Sequence, residues 1–418
     1  MKPTRSPFFS FRAQLLALFL LAVGVRAGFV ATVTGFERGQ ENPAVLNGDE
    51  RDYVARAEHV LAGAGFTAGG AHDRMWRTPG YPLLLAAVFA PAGRRLAAAR
   101  ALQALLGGLA CVLLAAIGAR LFDRRIGLLA GGWFALYPPH AYMAGMLLAE
   151  NLLLPALLGL VWLFLRLTER ESLREAIACG LLAGGCALVK PEAAGVIVLA
   201  AALAGRRRGA MLALCAFAVV APWLLRNHRL SGHWTLSSVG GEAFWGGNNE
   251  SVLNLPKYRG YWMAPAEMPA GLREVQAAGD EIAQDRARYR LGIDFLKRHP
   301  ADLPRLAGYK LARFHSVLMQ DPRERWALIA SYGWLLPFIA AGTLLQTRRL
   351  FRAHSGGRLL IALIFYYHLL AVVFWGANRL RLMIDPALLL FGLQALVAAV
   401  RSMPMTWGVA VRRRNRQD

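Results

Sequence analysis

The 418-residue chain is 56% hydrophobic and only 18% charged, yet carries a formal net charge of +22. Apolar content this high exceeds what a single soluble core needs and excludes an ordinary soluble domain. The basic residues sit at the ends of apolar runs, without an aromatic-basic module or helix-turn-helix signal, so the charge points to a membrane surface rather than to nucleic acid.

AQLLALFLLAVGVRAGFVATV predicts a first membrane helix over about 13–34. The run is too long for a signal peptide and lacks a small-residue cleavage site, so it reads as a retained span. An outer loop follows to about residue 93. Within it, apolar residues recur at helical spacing after NGDE, and TPGYPLLLAAVFAP is apolar but too short to span, which suits an interfacial helix. Further spans are expected over about 96–121, 126–144 and 150–168. The run REAIACGLLAGGCALVKPEAAGVIVLAAALAGRRR predicts a hairpin of two short helices that meet at KPE, residues 190–192. Another span runs from about 209 to 226, and a long outer segment comes next, with a charged helical stretch over about 272–315. Spans over about 326–346, 358–376 and 382–400 complete an even count.

These elements predict an all-α polytopic membrane protein of about ten transmembrane helices, with outer loops that carry interfacial helices. The expected organisation is a core over 1–226 with its first loop at 35–93, an outer segment over 227–325, and C-terminal helices with a basic tail over 326–418. Placing RLFDRR, RLTERESLR, GRRRG, QTRRLFR and both terminal clusters on the cytoplasmic side satisfies the positive-inside rule. The exception is GRRLAAAR at 93–100, which then faces outward. Cys111, Cys179, Cys186 and Cys215 all lie in apolar runs and read as small core residues.

That topology gathers ionisable groups at one membrane face: Asp49, Glu50, Arg77, Glu150, Lys190, Glu192, Arg226, Arg379, Arg381 and Asp385. Charges there must pair or face a cavity, and the presence of both signs points to a polar cavity that opens outward. Each also has a plain structural reading. Asp49 can cap a helix over 50–62, with Asp52 as the acid of a capping box. Glu150 favours the start of its helix, and Lys190 and Glu192 can snorkel as a pair beside Pro191. Arg77, in the rigid turn WRTPGYP, offers a fork to a phosphate, and Arg379 and Arg381 at a helix start oppose the dipole unless an anion is present.

The ordered set GDERDY, GAGF, RTPGYPLLLAAVF, LLAENLLLPALL, ALVKPEA, PWLLRNHRLSG, GGNN and NRLRLMIDPALLL resembles bacterial membrane glycosyltransferases of the dolichyl-phosphate-mannose protein mannosyltransferase type. These form part of the GT-C superfamily, together with the aminoarabinose transferases of lipid A. The resemblance implies transfer of a sugar from undecaprenyl phosphate, on the periplasmic side of a bacterial inner membrane, to an envelope glycan, lipid or protein. It implies Asp49 as the catalytic or acceptor-positioning carboxylate, with Glu50 second, and Arg77, Lys190, Arg379 and Arg381 as contacts of the donor phosphate. Tyr53, Tyr81, Glu150, Glu192 and Asn248 complete the expected substrate wall. A base at the acceptor hydroxyl and positive charge at the leaving phosphate are what such a transfer needs. No cofactor is called for; a divalent cation is compatible with the chemistry, but no spacing defines its ligands. The chain departs from common relatives at Leu380, where an aromatic residue is usual, and at Val189-Lys190. The alternative from another class is a transporter or flippase of a lipid-linked saccharide, against which stands the absence of repeated halves.

Overall fold

The computed structural model describes residues 10–70, 73–317, 322–353 and 356–402, with 322–324 described by backbone alone. The basic tail and most of the N-terminal basic cluster lie outside these residues. Among the described residues every regular element is helical.

The chain enters through α1 (Phe11–Phe29), which Ser10 caps and which runs on as a π-helical turn to Thr34. The first loop holds α2 (Gly48–Leu61) and α3 (Gly80–Ala92). Then come α4 (Leu96–Leu121), α5 (Arg124–Ala135) and the short α6 (Pro138–Met143). The single span expected over 126–144 is thus two helices, because Pro138 and Pro139 withdraw the amides needed to continue past Leu136. Next are α7 (Glu150–Arg170), α8 (Leu173–Val189), α9 (Ala194–Ala204) and α10 (Arg206–Ser231).

The second loop region contains α11 (Gly240–Gly247), α12 (Glu250–Asn254), α13 (Pro269–Ala277), α14 (Glu281–Arg298) and α15 (Leu303–Phe314). The chain then returns through α16 (Pro322–Ser331), α17 (Leu336–Arg352) and α18 (Arg358–Val373), makes the one-turn α19 (Asn378–Arg381), and ends in α20 (Asp385–Ser402).

Six helical stretches among the described residues are long and apolar enough to cross a membrane, and the shorter apolar helices α3, α9 (with its preceding turn from Pro191) and α18 accompany them. The apolar runs of the sequence therefore do form a multi-pass helical bundle. Close helix approach depends on small residues. A Cβ on Gly184 would lie 2.7 Å from the Ala216 carbonyl, and one on Gly180 would collide with that of Leu212, so α8 and α10 touch backbone to backbone. Cys111, Cys179 and Cys186 are buried and Cys215 half-buried, all as free thiols, and they act as small packing residues.

Both loop regions gather at one end of the bundle, with the starts of α4, α7 and α20 and the turn between α8 and α9. The outward-facing basic cluster has an explanation there. Arg100 is buried and donates to the carbonyls of Phe36, Arg38 (2.7 Å) and Gly145 (2.9 Å), while Arg94 pairs with Glu58 and donates to the Gln40 carbonyl. These arginines staple the first loop to α4, so they carry no topological signal of their own.

Candidate functional site

The site starts from the N-terminus of α2. Asn47, not Asp49, is its cap: the Asn47 side chain accepts from the Glu50 amide at 2.9 Å, and Glu50 accepts from the Asn47 amide at 3.1 Å. The capping box is therefore Asn47–Glu50 rather than Asp49–Asp52, and the helix begins at Gly48. With the cap filled by Asn47, Asp49 is free to face the bundle. The spacing i, i+3, i+4, i+7 puts Asp49, Asp52, Tyr53 and Arg56 on one stripe of α2.

Four separated segments converge on that stripe. Arg77 donates from Nη2 to Asp49 Oδ1 at 2.6 Å and from Nε to Asp52 Oδ2 at 3.0 Å, with its guanidinium carbon 5.1 Å from the Tyr53 ring centre. Arg379 donates from Nη1 to Asp49 Oδ2 at 2.6 Å and from Nε to Glu150 Oε1 at 2.6 Å. Lys190 reaches Glu150 Oε1 at 3.2 Å and Glu192 Oε1 at 2.8 Å. Asp52 is held on its other side by Arg56, through Nε at 3.1 Å and Nη2 at 3.0 Å.

The supporting backbone is equally specific. Thr78 donates to the Val189 carbonyl at 3.0 Å, and a Cβ on Gly80 would lie 2.7 Å from the Leu188 carbonyl. The TPGYP turn is thereby seated against the end of α8, one residue from Lys190. At the far side, glycines carry the approach to Arg379: side chains at Gly247 and Gly376 would strike the carbonyls of Phe374 and Lys310. Gly376 also donates to the Gly260 carbonyl at 2.9 Å.

Burial raises the Asp49 carboxyl, but Arg77 and Arg379 outweigh it and hold the group well below the usual carboxylate range. Asp49 is thus a permanent anion between two cations. Each cation keeps capacity: Arg77 Nη1, Arg379 Nη2 and the Lys190 ammonium have donors left over after these pairs, on side chains that are only partly buried. The arrangement can therefore take up a further anion of phosphate type without loss of the network.

The structure brings together Asp49, Tyr53, Arg77, Glu150, Lys190, Glu192 and Arg379. It places the other expected residues elsewhere. Glu50 is fully buried and turned away, accepting from the Leu147 amide at 2.8 Å and pairing with Arg38 at 2.5 Å. Tyr81 lies in the core with its hydroxyl 2.5 Å from Gln103 Oε1. Asn248 is a backbone tie: it donates to the carbonyls of Phe244 (2.7 Å) and Val373 (3.0 Å) and accepts from buried Lys310 at 2.8 Å. Arg381 points into the bundle. It pairs with Asp385 at 2.8 Å, donates to the Phe314 carbonyl at 3.1 Å, and lies over the Tyr332 ring. Residues 378–381 form a helical turn, so positions two apart diverge; the extended chain that would aim both arginines the same way is absent.

The sequence pointed to neither Asp52 as a bridge nor the part played by Arg56, although the α2 stripe held the signal. Glu242 and Arg288, from α11 and α14, also stand beside this site and had no local signature. Among the described residues no three His, Cys, Asp or Glu side chains form a metal-ligating group. Arginines occupy both oxygens of Asp49, so this donor set does not suit a divalent ion, and no step below is routed through one.

Residues 76–225 match the family model of the dolichyl-phosphate-mannose-protein mannosyltransferases. A search of curated proteins returns no match. Among solved structures, the chain is similar to the oligosaccharyltransferase of Archaeoglobus fulgidus in its apo form, with TM-score 0.55, 14% identity, and coverage of 97% of this chain and 52% of that one. The archaeal oligosaccharyltransferase AglB from Archaeoglobus fulgidus, in complex with an inhibitory peptide and a dolichol-phosphate, gives TM-score 0.53 and 15% identity, with 93% and 50% coverage. ArnT from Cupriavidus metallidurans bound to undecaprenyl phosphate gives TM-score 0.42 and 14% identity, with 93% and 77% coverage. The chain thus spans about half the length of the oligosaccharyltransferase. The mannosyltransferase resemblance read from the motifs is met by that family model over residues 76–225, and the oligosaccharyltransferase shares the fold.

Proposed function

We propose that this protein is a membrane glycosyltransferase that moves a sugar from a polyprenyl phosphate, in bacteria undecaprenyl phosphate, to an acceptor outside the cytoplasmic membrane. One observation carries the reading. Three cations from separate segments, Arg77, Lys190 and Arg379, meet around Asp49 and Glu150 at the loop end of a membrane bundle, each with donors to spare. A lipid phosphate enters at that depth with its sugar towards the loops. As the sugar leaves, negative charge grows on the phosphate oxygen, and fixed guanidinium groups stabilise it more than they stabilise the bound diester.

Asp49 holds the two arginines apart and in place, and it presents an anion beside the anomeric carbon, where it positions the acceptor. A single displacement then inverts the sugar. The positive-inside rule puts the arginine-rich turns in the cytoplasm and the site on the periplasmic side of the inner membrane, with both termini cytoplasmic. The segment from about 232 to 325, of which 318–321 lie outside the described residues, is with Trp234, Trp262 and its glycines the part that selects the acceptor, which is an envelope glycan, lipid A or a protein.

The test uses purified protein in proteoliposomes, given undecaprenyl phosphate bearing labelled mannose, glucose, galactose or aminoarabinose, with native envelope as the acceptor source. Release of undecaprenyl phosphate together with label in the acceptor fraction supports the reading. Movement of intact labelled lipid between leaflets, without release, would replace it with transport.

A further inference from the structure

The turn that carries Arg77 is gripped from the second loop region. Ser238 donates to the Met75 carbonyl at 2.9 Å, and the Met75 amide donates to the Glu281 carboxylate at 3.0 and 3.1 Å. Arg288 of α14 lies over the Trp76 ring at 5.3 Å. Glu242, in the first turn of α11, is fixed against this wall. Gly241, next to it, donates to Asp285 Oδ1 at 2.7 Å and packs so closely on α14 that a Cβ would strike the Asp285 carbonyl. Glu242 faces Arg288, whose guanidinium lies over Trp76, the residue before Arg77, so Glu242 flanks the turn that carries Arg77.

The carboxylates around the site differ in how they are used. Asp49, Asp52, Glu150 and Glu192 each accept from an arginine or lysine at 3.2 Å or less. Glu242 makes no hydrogen bond among the described residues; its nearest cation is Arg288 Nε, at 4.0 Å. Arg288 is nine-tenths buried, and that Nε has no hydrogen-bond partner among the described residues. A buried donor left open beside an unengaged, partly exposed carboxylate marks a place for a polar group of a ligand.

We infer that Glu242 is the general base of the transfer, receiving the proton of an acceptor hydroxyl held by Glu242 and the open Nε of Arg288, beside the turn that carries Arg77. This rests on the glycosyltransferase reading and assigns the acceptor to the class of hydroxyl-bearing molecules. The acceptor oxygen forms its bond to the anomeric carbon as its proton passes to Glu242. The bond from that carbon to the phosphate oxygen breaks, and the electron pair stays on undecaprenyl phosphate beside Arg77 and Arg379. Glu242 then yields the proton to solvent. Proton affinity favours Glu242 as the base, because burial pushes its carboxyl up against the pull of Arg288 and Arg77, with Asp49 and Asp285 adding to the rise. Asp49, pinned by two guanidinium groups, is a poor base.

The experiment measures transfer against pH in proteoliposomes with wild-type protein, Glu242→Gln, Glu242→Asp and Asp49→Asn, alongside binding of undecaprenyl phosphate. Wild type should lose activity on an acid limb. Glu242→Gln should fall by ~10²-fold or more with the limb abolished, while affinity for undecaprenyl phosphate stays within ~2-fold. Glu242→Asp should recover part of the rate together with the limb. A Glu242→Gln protein that keeps its rate, or that slows but keeps the acid limb, overturns the assignment while leaving the glycosyltransferase reading intact. Wild type that transfers no sugar from any of the donors overturns both.

Discussion

Arg379 is the group on which the site's charge balance turns, and its removal can be followed through the structure. Its two ion pairs are both 2.6 Å long, one to Asp49, which is 29% exposed, and one to Glu150, which is 4% exposed. Arg379→Ala leaves Asp49 with Arg77 alone. It leaves Glu150 with Lys190 at 3.2 Å, and with an Oε2 that is buried without a hydrogen-bond partner among the described residues. The more exposed pair is worth ~0.5 kcal/mol, whereas stripping a buried carboxylate approaches ~3 kcal/mol; the remaining Lys190 contact brings the total to about 2 kcal/mol of stability. Loss of a charged hydrogen bond to the lipid phosphate costs a further ~1.5–3 kcal/mol of binding, or ~10–150-fold in affinity. Arg379→Lys restores the charge but not the fork, since one ammonium cannot reproduce two directed N–H contacts to two carboxylates. Binding of undecaprenyl phosphate to detergent-purified protein, with thermal unfolding of the same samples, measures both quantities. If Arg379→Ala bound undecaprenyl phosphate within ~2-fold of wild type while remaining folded, the convergence of cations would not be a phosphate site.

Asp49→Asn should abolish transfer with little change in expression, because it loosens both arginines while the Asn47 cap stays in place; a turnover assay on folded protein decides it. Its effect on stability should depend on pH with a definite sign. The folded carboxyl is depressed, so its contribution is present above the unfolded value of about 4 and is lost as pH falls further; thermal scans should show the wild-type advantage shrinking only below about pH 4. Glu50→Ala should destabilise by ~2–4 kcal/mol, since it removes the acceptor of the Asn47 and Leu147 amides and the partner of Arg38; thermal unfolding and yield should register this more strongly than turnover per folded molecule. Gly376→Ala should reduce donor binding although the residue touches no ligand, because its methyl would collide with the Lys310 carbonyl and displace the turn that aims Arg379; undecaprenyl phosphate titration reads this directly.

How much of this was legible in the sequence depends on the range over which each signal acts. Span lengths and basic turns are local properties, so the bundle followed from apolar runs, and the hairpin broke at Pro191 as a proline in an apolar run requires. The break after Leu136 is equally local, made by Pro138 and Pro139, yet a single span was expected there because the flanking runs are both apolar. The cap of α2 was misread because Asp49, Asp52, Asn47 and Glu50 all belong to capping chemistry; only the fold shows that Asn47 takes the cap and Glu50 the box, which leaves the acid between them free. Arg379 and Arg381 divide for a related reason. A pair two residues apart points one way on an extended chain and opposite ways on a helical turn, and the turn is imposed by Gly376 against Lys310 and by the buried Arg381–Asp385 pair, contacts that span about 70 residues of sequence or close only after folding. Glu242 lies beyond local reasoning altogether. It is an ordinary acid in a glycine-rich run, and what separates it from its neighbours is the absence, among the described residues, of a hydrogen bond where Asp49, Asp52, Glu150 and Glu192 each have one. A network that holds four carboxylates in fixed pairs is suited to binding an anion repeatedly without rearrangement. A reaction that must also move a proton needs one acid outside that network, and the loop wall rather than the bundle is where the fold leaves it.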